Sequence, residues 1–202
     1  MNLDYEDLEW KLCEAYFSIL DKNMTSQVSL EQLSIEAKIS IDEVEKIISD
    51  NSVDYKIFFL KILISKVDRE VLTELKADIF DDNISNTYDK ILEGFILRFE
   101  KYMQYRGSFK ILSKNSKQKI KVFLNVFKEN YEFSFNLLTL IEDDQNCGIK
   151  TLKCLALNAV FTKCLDIFLK DENKDIEGVM RHLDKYLSDV KDLGIFVGII
   201  KD

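Results

Sequence analysis

A chain of 202 residues with 47% hydrophobic and 32% charged residues has apolar material for a full core and too much of it for disorder. It holds no proline and only six glycines, which favours helix and excludes an all-β fold built on tight turns. The net charge of −8 is uneven: residues 1–50 carry four lysines against twelve acids, so the rest balances at 24 cations and 24 acids.

The first helix is predicted over residues 3–21, where Leu12, Ala15, Tyr16, Ile19 and Leu20 recur at helical spacing. Ser29 then caps a short second helix, with Gln32 at the capping-box position, and Leu30, Leu33 and Ala37 form its inner stripe. Ser40 caps a third helix with Glu43 three residues on, and Ile41, Val44, Ile47 and Ile48 turn inward. Two short helices joined by a brief turn and laid on a longer one make a helix-turn-helix. A long fourth helix follows over 54–80 and a fifth over 84–105. Gly107 marks a break, and a short sixth helix covers 109–113. The seventh helix, 117–141, is rich in aromatics; an eighth, 149–170, is apolar nearly all round; a ninth spans 175–192. The apolar tail 194–200, with two glycines, reads as a short strand, an arm on a groove, or a frayed end.

No stretch is apolar enough to span a membrane, and the acidic N-terminus does not read as a signal peptide, so a cytoplasmic protein is expected. The cysteines Cys13, Cys147, Cys154 and Cys164 form no CxxC pair, and His182 is the lone histidine, so no metal site can be written. Phosphate-cradling glycine loops and nucleophile elbows are absent as well; neither a cofactor nor enzymatic activity is expected. Eight cations and no acid lie between residues 101 and 128, either a solvated helical face or a surface for an anionic partner.

The order of these elements resembles the TetR family of regulators. Leu12, Ala15 and Phe17 fall on that family's apolar first-helix pattern, and Ala37-Lys38-Ile39-Ser40 stands where its turn reads A-G-V-S. The resemblance implies an all-α, nine-helix TetR-like fold, with a helix-turn-helix domain at 1–50 and a ligand-binding and dimerisation bundle at 51–202. In the family the third helix enters the major groove. Here its contact positions hold Ile41, Asp42, Glu43, Val44, Glu45 and Lys46, leaving Ser29, Lys38, Ser40 and Lys46 as DNA-contact candidates. Three carboxylates on that helix weaken any approach to phosphates. By position in the bundle, Phe95, Phe99, Met103, Phe123, Phe127, Tyr131 and Phe161 are candidates to line an apolar effector pocket. The resemblance also implies a homodimer through the last two long helices, with Leu152, Leu155, Ala159, Val179, Leu183, Tyr186 and Leu187 as interface candidates.

Two functions follow from these resemblances. The first is a dimeric transcriptional regulator whose bundle takes a small apolar effector. The second rests on residues 155–190, which are similar to the lipid-binding proteins of the same fold that assist ubiquinone biosynthesis. On that reading the bundle holds a lipid or isoprenoid, and the basic run or the tail touches a membrane surface.

Overall fold

The computed structural model describes residues 5–25, 27–51, 54–81, 86–114, 116–141, 147–173 and 175–196. Among these the chain is all-helical, without a strand: α1 (Tyr5–Asn23), α2 (Leu30–Ala37), α3 (Ile41–Asp50), α4 (Tyr55–Asp81), α5 (Thr87–Tyr102), a 3-10 turn (Met103–Tyr105), α6 (Arg106–Lys114), α7 (Ser116–Leu140), α8 (Cys147–Lys170) and α9 (Glu177–Phe196). Among the described residues no helix is long and apolar enough to cross a membrane. The chain divides into two compact units, residues 1–66 with 104–126, and residues 67–103 with 127–202.

In the first unit, α1 buries Leu12, Cys13, Tyr16, Phe17 and Leu20, and α2 and α3 supply Leu33, Ala37, Val44 and Ile47. Each of the two short helices starts at a serine whose side chain accepts from the backbone N–H three residues on, while Gln32 or Glu43 returns the bond to the serine's own N–H. Both capping boxes are therefore complete, worth about 1 kcal/mol each against alanine at the cap. Between them Lys38 closes α2 in the left-handed region at φ 55° and donates its N–H to the backbone carbonyl of Ile35. Ser34 ties the turn by donating to the Ile39 carbonyl at 2.6 Å. Lys22 of α1 pairs with Glu36 of α2 at 2.6 Å, and Ser18 donates to the same carboxylate.

Gly107 does not break the chain. It lies inside α6, which packs on α1, and a Cβ there would stand 2.3 Å from Asp21 Oδ1; Ser108 beside it donates to the Phe17 carbonyl. The glycine marks close approach of two helices rather than a turn.

The second unit is built from the C-terminal part of α4, α5, most of α7, α8 and α9. Its core holds Val71, Leu75, Phe95, Phe99, Phe133, Leu137, Phe161, Phe168, Leu183 and Leu187. Gly94 lets α5 come against α4 and α7: a Cβ there would meet Leu75 at 3.0 Å and Leu137 at 3.2 Å. The ninth helix runs on through Gly194 to Phe196; the remainder of the expected apolar tail lies outside the described residues.

Candidate functional site

The outward side of the helix-turn-helix is set by its own periodicity. With Val44 and Ile47 buried, Asp42, Glu43, Glu45 and Lys46 of α3 are left exposed. Ser40 is occupied locally, its hydroxyl donating to Glu43 Oε2 at 2.6 Å while Glu43 N–H donates to Ser40 Oγ. Ser29 likewise accepts from Gln32 N–H, and its hydroxyl holds the Glu31 carboxyl below the usual range. Lys38 and Lys46 are exposed on the same unit. Ser29 thus lies at the start of α2, Lys38 and Ser40 at the α2–α3 turn and Lys46 along α3, among carboxylates.

The aromatic candidates gather in the core of the second unit. Phe95, Phe99 and Phe161 are 0–1% exposed, with ring centroids 5.9 Å apart for Phe95–Phe161 and 5.1 Å for Phe99–Phe161. Met103 falls in the 3-10 turn, half-buried; Phe127 and Tyr131 are half-buried on α7; the Phe123 side chain lies outside the described residues.

One of these rings, Phe161, lies with Phe133 against a buried charge. The Arg98 guanidinium lies 4.3 Å from the centroid of Phe133 and 4.5 Å from that of Phe161, and is 1% exposed. It grips Asp68 of α4 with both arms, Nε to Oδ1 at 2.6 Å and Nη2 to Oδ2 at 3.0 Å. Its Nη1 donates to Asn130 Oδ1 of α7; Asn130 Nδ2 donates to Asn158 Oδ1 of α8 at 2.6 Å, and Asn158 Nδ2 to the Phe127 carbonyl at 2.8 Å. One hydrogen-bonded chain thereby runs through four helices of the unit. Burial pushes the Asp68 carboxyl up to about 6, against the opposing pull of Arg98. None of the four residues was singled out from the sequence. The signal was present nonetheless: each falls on an inner stripe, Asp68 between Ile64 and Val71, Arg98 between Phe95 and Tyr102, Asn130 before Phe133, and Asn158 beside Leu157.

The second unit also carries a groove of about 310 Å³ between α5, α7, α8 and α9. Ile91, Leu138, Leu157, Leu187 and Val190 form its apolar wall; Asn86, Thr87, Lys153 and Lys191 are its polar members. Tyr88 also lines it and ties α5 to α9, its hydroxyl 2.8 Å from both the carbonyl and a carboxylate oxygen of Asp184. Of the sequence candidates only Leu187, proposed for an interface, lines this groove.

The interface candidates divide. Val179, Leu183 and Leu187 are buried within the unit, and Tyr186 is half-buried under the ammonium of Lys163. Leu152 (52% exposed), Leu155 (43% exposed) and Ala159 line the outward side of α8, and Leu193 is exposed on α9.

The basic run of 101–128 does not form one free face. Lys101 pairs with Glu74 at 3.0 Å, Arg106 is buried, and Lys128 pairs with Glu132 at 3.5 Å; the side chains of Lys117, Lys119 and Lys121 lie outside the described residues. Cys13 and Cys164 are buried, and burial pushes the Cys164 thiol up to about 12. Among the described residues no cluster of His, Cys, Asp and Glu could hold a metal ion. The chain matches no protein-family model and no curated protein.

Proposed function

We propose that this chain is a TetR-like regulator: a homodimer that contacts DNA through α2 and α3 and takes a small apolar effector in its second unit. The observation that carries the reading is the α2–α3 turn. A complete capping box starts each of the two helices, and Lys38 holds a left-handed conformation at the place where the family's turn has glycine. Leu152, Leu155 and Ala159 on the outward side of α8 support the dimer, since an exposed apolar stripe on a long helix is covered by a two-fold copy of itself.

The test is fluorescence anisotropy with duplexes from the region upstream of the chain's own gene. Binding is expected at 50 mM salt and should fall steeply toward 200 mM. Lys46→Ala is expected to weaken it, and Glu45→Gln to strengthen it, because each changes the charge that α3 turns outward. Retention of no duplex at low salt overturns the regulator reading. The dimer is tested apart from DNA: light scattering should give twice the chain mass, and Leu155→Glu should return a monomer.

A second reading, a lipid- or isoprenoid-binding protein that does not bind DNA, is favoured by Asp42, Glu43 and Glu45 standing exposed on α3. It predicts an apolar molecule retained through purification and seen by native mass spectrometry, together with no duplex binding at any salt.

A further inference from the structure

The groove of the second unit has a polar end and an apolar end, and the helix directions establish which is which. Gly178 lies against Asp171, Tyr186 under Lys163, and Leu187 and Lys191 across the groove from Leu157 and Lys153; α9 therefore runs antiparallel to α8. The ring pairs Phe95–Phe161 and Phe99–Phe168 make α5 run parallel to α8. Lys153 stands one turn before Leu157, Lys191 one turn after Leu187, and Asn86 and Thr87 one turn before Ile91. Asn86, Thr87, Lys153 and Lys191 thus come toward one end, with Ile91, Leu157 and Leu187 beyond them.

We propose that this groove binds a medium-chain carboxylate, its head at Lys153 and Lys191 and its tail along Ile91, Leu157 and Leu187. A groove of about 310 Å³ has room for on the order of ten groups of ~30 Å³, enough to cover a decanoate-like chain. The two lysines supply charge and donors for a carboxylate; the acids next to the groove, Asp184, Asp89 and Asp192, act on the Tyr88 hydroxyl, which donates to Asp184. The aliphatic wall offers a tail no hydrogen-bonding partner, so a polar or sugar-like ligand is disfavoured there. The site rests on the effector half of the proposed function and gives that effector a chemistry.

Isothermal titration calorimetry on the full chain, without DNA, tests this with decanoate and with decanol as its uncharged counterpart. Decanoate should bind once per chain and decanol about tenfold or more weaker, the difference expected of a charge-assisted bond. Lys153→Gln with Lys191→Gln should bring decanoate down to the level of decanol and leave decanol unchanged. Ile91→Trp, at a half-buried position, should abolish binding of both while the circular dichroism stays helical. The proposal is overturned if decanoate does not bind at millimolar concentration, if decanol binds as well as decanoate, or if the lysine variant keeps its affinity. A failure here leaves the duplex measurements untouched, and a failure of duplex binding leaves these titrations untouched.

Discussion

Replacing Asp68 with leucine leaves the Arg98 guanidinium buried without its counter-charge, and a guanidinium cannot shed its proton to escape. Breaking a buried pair in this way costs about 3–5 kcal/mol, a large part of the ~5–15 kcal/mol that holds a domain folded. Arg98→Met is milder. The orphaned carboxylate already lies at about 6 and can neutralise itself, and the methionine sulfur takes the space between Phe133 and Phe161. The double variant removes both charges. It leaves Asn130 Oδ1 without the Arg98 donor, at about 1–3 kcal/mol, against the ~1–4 kcal/mol that an apolar replacement of a buried pair returns. The double variant should therefore fall within about 3 kcal/mol of the parent, on the stable side or no more than about 2 kcal/mol below it, while Asp68→Leu alone falls far below. Urea unfolding followed by far-ultraviolet circular dichroism reads this. Trp10, the chain's one tryptophan, lies in the first unit, so its fluorescence follows that unit separately. A double variant as unstable as Asp68→Leu, or an Asp68→Leu loss below about 1 kcal/mol, refutes the reasoning.

The same carboxyl predicts a pH dependence. Arg98, Glu129 and Glu132 act on it, burial dominates, and its value rises from the usual 3.8 to about 6 when the chain folds. The folded state then holds this proton more tightly than the unfolded one. The contribution is fully present below pH ~4 and is lost as pH climbs through about 6; subtracting the double variant's urea midpoints from the parent's isolates it. Gly94→Ala should destabilise by about 1–2 kcal/mol, because Leu75 and Leu137 already stand 3.0 and 3.2 Å from the added methyl, and overpacking exceeds the ~1 kcal/mol of helix propensity gained. A rise in melting temperature would falsify that. Lys38→Gly should stabilise the first unit by about 1 kcal/mol, since glycine adopts φ 55° without strain; an unchanged Trp10 transition counts against it.

Helix positions were legible because the signals that place them are local. Ser29 with Gln32 and Ser40 with Glu43 mark two starts by spacing alone, and the structure closes both boxes at those residues. Gly107 misled because glycine has two uses that look alike in one dimension. It can end a helix through its backbone freedom, or admit a neighbouring helix through its missing side chain. Only the position of Asp21, remote in sequence, decides between them. Gly194 carried the same ambiguity, and there α9 continues through it to Phe196. The head's charge was equally legible: with Val44 and Ile47 inward, a helical period leaves Asp42, Glu43 and Glu45 outside.

The interior of the second unit was harder to read because a residue scale scores each side chain alone. Phe95, Phe99 and Phe161 look like the lining of a cavity when taken as separate apolar groups. Their rings instead close on one another, and Phe161 lies with Phe133 against a guanidinium whose partner is thirty residues away in sequence. Burying that guanidinium demands a carboxylate at one edge and an amide at the other, and the amide demands a second amide behind it. Asp68, Asn130 and Asn158 are in this sense one requirement spread over three helices. A shift of α5 by a single turn would pull Arg98 from Asp68 and Asn130 together, so the chain penalises misregister more sharply than interchangeable phenylalanines can. The groove at the far end of α5 is tied differently, by the exposed bond from Tyr88 to Asp184 rather than by a buried charge. Its wall is aliphatic at Ile91, Leu138, Leu157, Leu187 and Val190, so that wall rests on packing where the Arg98 cluster rests on bonds of fixed direction.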